Sequence, residues 1–221
     1  MVVVADLHKS YQSLEVLKGI NLTINQGEIV SIVGSSGAGK TTLLQIMGTL
    51  ERPTKGSILF EERDVFQLSD KKLAEFRNQE IGFIFQFHQL LPEFNALENA
   101  ILPALIKGIS KEEAENKAEK LFEILNISHR KAHFPNELSG GEQQRVAIAR
   151  ALINQPKYVF ADEPSGNLDS QNAEELHQLF FNLRQEFGTA FIIVTHNQHL
   201  ANLADRKLVM KDGILVANEA D

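Results

Sequence analysis

The sequence predicts an α/β fold: a mainly parallel sheet core, an antiparallel β layer and a helical subdomain. Three observations lead there. Glu28–Val33 is a short apolar strand that runs into the glycine-rich loop Gly34–Thr41, and Thr41–Met47 continues as helix. Val159-Phe160-Ala161 and Phe191–Val194 are continuous apolar runs, as expected of parallel strands covered on both faces. Residues 2–30 and 56–66 are rich in β-type residues and carry the turn signals Asn25-Gln26-Gly27 and Lys55-Gly56, which reads as the antiparallel layer.

The remaining elements follow in chain order. Ser110 and Glu113 have the spacing of a capping box. Ala114, Ala118, Leu121, Phe122 and Leu125 then recur on one helical face, which predicts a helix over 110–126. The charged stretch Lys111–Lys120 is its solvated face, with Glu113 and Lys117 in the favourable order. Residues 142–153 are apolar nearly all round and predict a buried helix. Leu176, Leu179, Phe180, Leu183 and Phe187 mark a crossover helix ended by Gly188. Lys207–Ala217 contains Asp212-Gly213, a hairpin signal. The expected organisation is a single domain over 1–221. Residues 1–86 and 156–221 form the catalytic core with its β layer, and 87–155 form the helical subdomain.

Bulk properties narrow the classes of function. A length of 221 residues suits one large domain or a domain with a lobe. The net charge of -7 argues against a binder of nucleic-acid backbones, which carries a basic excess. Cysteine is absent, which excludes disulfides and thiolate chemistry. No basic leader precedes the apolar run Val2–Ala5, so no secretory signal is expected. No apolar run approaches the roughly 18 residues that a membrane span needs, so any membrane role is expected to come through a partner.

Gly34-Ser35-Ser36-Gly37-Ala38-Gly39-Lys40-Thr41 matches the phosphate-binding loop pattern. The glycines let backbone N–H groups turn inward around phosphates, and the helix N-terminus adds partial positive charge. Lys40 is placed to reach the β- and γ-phosphates and Thr41 to ligate Mg²⁺. Four fixed positions arise by chance in roughly one chain in a hundred of this length, and the flanking strand and helix lower that further. Asp162 ends the strand Tyr158–Ala161, where ligands bind in open α/β sheets; it is the candidate Mg²⁺ ligand, through water. Glu163 follows as the candidate that polarises an attacking water. Gln86 and His196 follow the apolar runs Ile81–Phe85 and Phe191–Val194 and are expected at strand ends near the γ-phosphate. As lone residues each also has a structural reading, the commoner one for a single histidine; in the functional reading both are candidate catalytic groups, and Gln86 is a further candidate metal ligand. Tyr11 has two readings, an adenine-stacking ring or a residue of the β layer. His129 and His133 have i,i+4 spacing but lie beside Pro135 in a loop-like stretch, which disfavours a metal site.

Ser139-Gly140-Gly141-Glu142 opens the buried helix. Ser139 suits a plain N-cap, but two adjacent glycines are unnecessary for a cap, which favours an anion site built from N–H groups and the helix dipole. With the loop at Gly34 this makes two anion sites. One chain needs only one for its own nucleotide; the other is expected to serve a partner's.

In this order the residues resemble the ATP-binding-cassette (ABC) ATPases over essentially the whole chain. The matching elements are Tyr11, Gly34–Thr42 including Thr42 (Walker A), Gln86 (Q-loop), Leu138–Glu142 (signature), Tyr158–Glu163 (Walker B), Ser165–Asp169 (D-loop) and His196 (switch histidine). The resemblance implies a P-loop NTPase of ABC-ATPase type with a RecA-like core, using ATP and Mg²⁺. It also implies an ATP-dependent head-to-tail homodimer in which each signature faces the other chain's Walker A, with Asp169 at the seam. Glu163 would be the general base, His196 would contact the γ-phosphate, and Gln86 would link the nucleotide to transmembrane permease subunits. Phe85–Phe94 and Ala96–Asn99 resemble the lipoprotein-releasing branch of the family. Glu163–Asp169 is shared with MacB-type exporters and FtsE-type cell-division ATPases, which remain the alternatives. Ser165 replaces the threonine usual in that group, and Gln143 stands where arginine is common. The expected location is the cytoplasmic face of a bacterial inner membrane, as a peripheral subunit. A soluble ABC protein acting on DNA or ribosomes is disfavoured by the acidic balance, the single cassette and the lack of a long heptad coiled coil.

Overall fold

The apolar runs that predict a doubly covered sheet all fall in one six-stranded sheet. A computed structural model of the chain describes residues 1–216, so Ala217 of the expected terminal hairpin lies outside the described residues. In chain order the elements are β1 (Val2–Tyr11), β2 (Leu14–Ile24), β3 (Ile29–Val33), α1 (Lys40–Met47), β4 (Lys55–Phe60), β5 (Arg63–Asp64), α2 (Asp70–Glu80) and β6 (Ile81–Phe85). They continue with α3 (Ala96–Ile106), α4 (Lys111–Ile124), α5 (Gly140–Leu152), β7 (Tyr158–Asp162), α6 (Ser170–Phe187), β8 (Ala190–Val194), α7 (Gln198–Leu203), β9 (Arg206–Lys211) and β10 (Ile214–Val216).

The larger sheet has the order β10-β9-β3-β8-β7-β6. Strands β9, β3, β8, β7 and β6 pair in parallel, and β10 adds antiparallel through the turn at Asp212-Gly213. Both turn residues have positive φ, as a tight hairpin requires. The smaller sheet, β2-β1-β4-β5, is antiparallel throughout.

Alternate residues of the buried strands serve two different cores. Ile29, Val159, Ala161, Phe191 and Ile193 pack with apolar residues of α3 to α7, whereas Val30, Ile32, Phe160, Ile192 and Val194 pack with α1 and the antiparallel sheet. That is why these strands read as unbroken apolar runs. The apolar core of residues 96–153 continues into the helix-covered face of the sheet.

Three local expectations are refined. The antiparallel layer ends at Ile24, not at residue 30, because Asn25–Glu28 turns the chain into the other sheet. Gly27 sits there at φ 65°, and the Glu28 carboxylate accepts from the Asn25 N–H at 2.8 Å. The capping box at Ser110 is half formed. Ser110 Oγ accepts from the Glu113 N–H at 3.3 Å, but the Glu113 carboxylate turns to Lys117 at 2.8 Å, the solvated i,i+4 pair. Helix α2 has no counterpart in the hydrophobic pattern because Leu73 is its one buried residue. The predicted face of α4 is buried as expected at Ala114, Ala118, Leu121 and Phe122, with Leu125 following the helix. Helix α6 ends at Gly188, in the left-handed region at φ 64°.

Phe180 of α6 is fully buried with its ring centroid 5.4 Å from that of Phe191 on β8. Phe180→Ala is expected to lower the unfolding free energy by about 3–5 kcal/mol, read from chemical denaturation.

Candidate functional site

The register of the parallel strands brings the predicted residues to one edge. Ile32 pairs with Val194, Val194 with Asp162, and Asp162 with Phe85, so four strands end at one level. The residues that follow them, Gly34, His196, Glu163 and Gln86, therefore gather where ligands bind in parallel sheets. They surround a cavity of about 470 Å³ lined by Val16, Ser36, Gly37, Gly39, Lys40, Thr41, Thr42, Gln86, Asp162, Glu163, Val194 and His196.

The loop after β3 is shaped by close backbone approach. A Cβ at Gly34 would lie 2.1 Å from the Met210 carbonyl oxygen, and Gly39, at φ 100°, has Met210 Cε and Leu17 on its Cβ side. Ala38 is buried behind the loop. Gly39 caps α1 without a side-chain acceptor, and the first turn holds no acidic residue. Its N–H groups are thus left for an anion. Lys40 is buried, with Nζ donating to the carbonyls of Gly34 and Ser35, both at 2.9 Å. The loop holds its ammonium by its own backbone at the floor of the cavity.

Thr41 Oγ1 donates to Asp162 Oδ1 at 3.3 Å. Burial pushes the Asp162 carboxyl up from its ordinary value, against the opposing Thr41 hydrogen bond and the nearby Lys40 charge. Glu163 sits at φ 47°, a conformation rare for residues with a Cβ. Its N–H donates to the Val194 carbonyl at 2.9 Å, and its Oε2 accepts the His196 N–H at 3.1 Å. The other oxygen, Oε1, lies 3.1 Å from His196 Nε2 but outside hydrogen-bond geometry, and is buried without a donor. A buried acceptor left in this state is costly and marks the position as built for a further donor.

Gln86 is positioned by Asn167, which lies within the predicted D-loop but has no role assigned from the sequence. Gln86 Nε2 donates to Asn167 Oδ1 at 3.3 Å, and Asn167 Nδ2 donates to the Gln86 carbonyl at 2.8 Å. Gly166 permits this approach, since a Cβ there would lie 2.9 Å from Gln86 Nε2. A residue outside the predicted set is Arg150, which donates to the carbonyls of His88 and Gln89 at 2.6 Å each and so clamps α5 to the chain after β6. Nothing in the sequence separates Arg150 from Glu142 and Arg145, the other charged residues of α5. Val16 also lines the cavity, and nothing in its sequence context marks it.

Ser139, Gly140, Gly141 and Glu142 lie away from this cavity. Ser139 is the N-cap of α5 in a complete capping box: its N–H and Oγ both donate to Glu142 Oε2, at 2.8 and 2.9 Å, and its Oγ accepts from the Glu142 N–H. Arg130 Nε donates to Glu142 Oε1 at 2.6 Å. The cap thus engages Ser139 and Glu142 internally, while Gly140 is exposed and Gly141 half-buried at the first helical turn. A Cβ on Gly140 would approach Leu168 and one on Gly141 would approach Asn172, so the turn abuts the segment around Asp169, which caps α6. Gln143 donates to the carbonyls of Pro135 and Leu138, which fixes the turn from behind.

Tyr11 stands at the end of β1, 44% exposed, with Oη donating to Glu51 and Lys9 Nζ 5.0 Å from the ring centroid. It lies beside Thr42 rather than in the cavity lining. His129 and His133 take different neighbours, Glu142 and Arg130, and do not converge on a common ligand position.

A glycine loop with a buried lysine, a Thr–Asp pair and a Glu–His pair at one sheet edge, plus a Ser-Gly-Gly helix start facing elsewhere, defines a P-loop ATPase of the cassette type. A family profile described as ABC transporter matches residues 17–166, and the chain belongs to that family. It is 59% identical to the lipoprotein-releasing system ATP-binding protein LolD of Cytophaga hutchinsonii, covering 96% of each chain. To LolD of Bacteroides fragilis it is 57% identical, over 98% of this chain and all of that one. Among solved structures, the dimeric bacterial ABC transporter cassette MJ0796 superposes with TM-score 0.91 at 39% identity, over 98% of this chain and 97% of that one. A dimer of the same cassette in a post-hydrolysis state, bound to ADP and Pi, matches equally well. The chain is an ATPase subunit of the ABC class.

Burial would raise the Glu142 carboxyl, but the Ser139 N–H and the Arg130 guanidinium outweigh it and hold it below the ordinary 4.5. Its contribution to stability is therefore complete above pH ~4.5 and is lost as pH falls through the depressed value. Glu142→Gln is expected to flatten the acid limb of a stability-versus-pH curve, measured by denaturant unfolding between pH ~3 and ~6.

Proposed function

We propose that the chain is the ATP-hydrolysing subunit of a complex that releases lipoproteins from a bacterial inner membrane, acting as a pair of copies on LolC/LolE-like permease subunits. The observation that carries the catalytic part is the buried, donor-free Oε1 of Glu163 beside His196 at the mouth of the cavity. A water there, hydrogen-bonded to Oε1, is aligned to attack a γ-phosphate cradled by the Gly34–Thr42 amides and Lys40. Glu163 takes the proton of that water. His196 contacts the γ-phosphate, and Gln86, tethered to Asn167, reports its presence.

Thr41 Oγ1 and Asp162 Oδ1, two hard oxygen donors 3.3 Å apart, fit Mg²⁺. Thr41 would hold it directly and Asp162 through water, with Gln86 as a further oxygen ligand. When bound, the ion neutralises charge on the phosphates. Ser139, Gly140 and Gly141 lie outside the chain's own cavity, which supports their use on a second copy's nucleotide, with Asp169 at the seam and Tyr11 stacking on adenine.

Support for a membrane partner comes from the surface behind Gln86. No helix among the described residues is long and apolar enough to cross a membrane. A groove of about 480 Å³ lies between α2, β6, α3 and α5, with Phe83, Phe85, Ile106 and Arg150 in its walls. Phe87 and Ile106 are 72% and 75% exposed, and Leu91 and Phe94 are exposed as well. Leu90 alone of that run packs into the core. Asn99, fully buried, holds the 91–95 loop by donating to the carbonyls of Leu91, Phe94 and Asn95. A groove with exposed apolar side chains on and near its walls suits a short permease helix. Full-length similarity to LolD relatives supports the lipoprotein cargo.

Glu163→Gln is expected to keep ATP binding, cut hydrolysis by about 10²-fold or more, and give a dimer with Mg-ATP but a monomer with ADP, read as mass in solution. Lys40→Ala is expected to weaken ATP binding itself. Normal hydrolysis by Glu163→Gln would remove the base assignment. Co-purification with a LolC/LolE-like pair is expected and should be lost in Phe87→Ser/Ile106→Ser with ATP binding intact; failure of the unmodified chain to bind that pair would sink the lipoprotein assignment.

A further inference from the structure

Outside the nucleotide cavity, one group of side chains carries ligand chemistry that ATP hydrolysis does not use. Glu174 and His177 lie three residues apart on α6, and so on one face of it; His199 lies in the first turn of α7. Glu174 Oε2 is 3.0 Å from His199 Nδ1 and 3.8 Å from His177 Nδ1. One ligand atom from each of the three residues lies within 4.8 Å of the others. His177 is 1% exposed, and its Nδ1, turned toward Glu174, has no hydrogen-bond partner. Its other nitrogen, Nε2, is 3.2 Å from Ser165 Oγ.

We propose that Glu174, His177 and His199 form a binding site for a divalent transition-metal ion of the zinc class. Two imidazole nitrogens and one carboxylate oxygen are a donor set for such ions. With metal–ligand bonds of about 2.1 Å, neighbouring ligand atoms of a tetrahedral site stand about 3.4 Å apart, between the two separations found here. Glu174 and His199 are exposed and free to close the remaining distance by rotation, while His177 is fixed by burial. Three protein ligands leave a fourth position for water.

An ion on Nδ1 fixes the proton of His177 on Nε2, which then donates to Ser165 Oγ. Ser165 opens the segment that ends at Asp169, and His199 follows His196 by three residues. The site would thus join the segment at the subunit seam to the segment that contacts the phosphate. Among the described residues no other histidine belongs to such a group. His8 gives Nδ1 to Glu15 and Nε2 to Asp6, from opposite sides of its ring.

The test is a titration of the tag-free, EDTA-stripped full chain, without nucleotide, with Zn²⁺ against a chromophoric chelator, repeated with Co²⁺ for its visible absorption. One equivalent is expected to compete with the chelator, and Zn²⁺ is expected to raise the Tm. Glu174→Gln and His199→Ala, both at exposed positions, should each weaken binding at least about tenfold by removing one of three protein ligands and abolish the Tm shift. Asp162→Asn should leave the equivalent in place. Absence of chelator-competitive binding would overturn the proposal, as would an equivalent that survives either ligand substitution or disappears in Asp162→Asn.

Discussion

Parallel pairing of β3, β8, β7 and β6 in a register that ends all four at one level is the constraint from which the site follows. Each strand is covered on both faces, so a slip of one residue would exchange its two apolar faces between the two cores. The register is therefore fixed by packing on both sides at once. Because Val194 pairs with both Ile32 and Asp162, the loop after β3 and the acidic pair at the end of β7 are held against each other. The cavity inherits its geometry from the core and needs no separate device to assemble it.

Charge is concentrated where that geometry leaves backbone groups open. Lys40 rests on two loop carbonyls at the floor, and the α1 N-terminus lacks any side-chain cap. Opposite them stand Asp162, pushed up by burial, and Glu163, which keeps one oxygen without a donor. The positive φ of Glu163 is held by its N–H bond to Val194. Strain and an orphaned acceptor at one residue, beside an open anion cradle, are the features a fold tolerates where a ligand completes the set.

The helical segment after β6 joins this edge through polar clamps as well as through the apolar core that it shares with the sheet. Asn167 holds Gln86, Arg150 holds the carbonyls of His88 and Gln89, and Asn99 holds the loop beyond. His88 and Gln89 have positive φ, so the chain between sheet and helices is bent and pinned at discrete points. Ile106, in the wall of the groove, and Phe87, on the chain after β6, are left exposed.

The sequence alone determined the phosphate loop, the acidic pair, the buried strands and the helices α4, α5 and α6. Each rests on local spacing: fixed glycines, continuous apolar runs, or a 3.6-residue period. Helix α2 was not legible because a polar helix with one buried residue has no period to read. The half-formed box at Ser110 was misread because Glu113 had two partners within reach and the sequence does not rank them. The roles of Asn167, Arg150 and Val16 and the Glu174–His177–His199 group became visible only in the tertiary structure. Their meaning depends on which residues distant in sequence lie across from them, and a single chain of letters carries no record of that distance. Local chemistry is written in neighbours along the chain, whereas the tethers and the second cluster are decided by register and by the packing of α6 on α7 and β8.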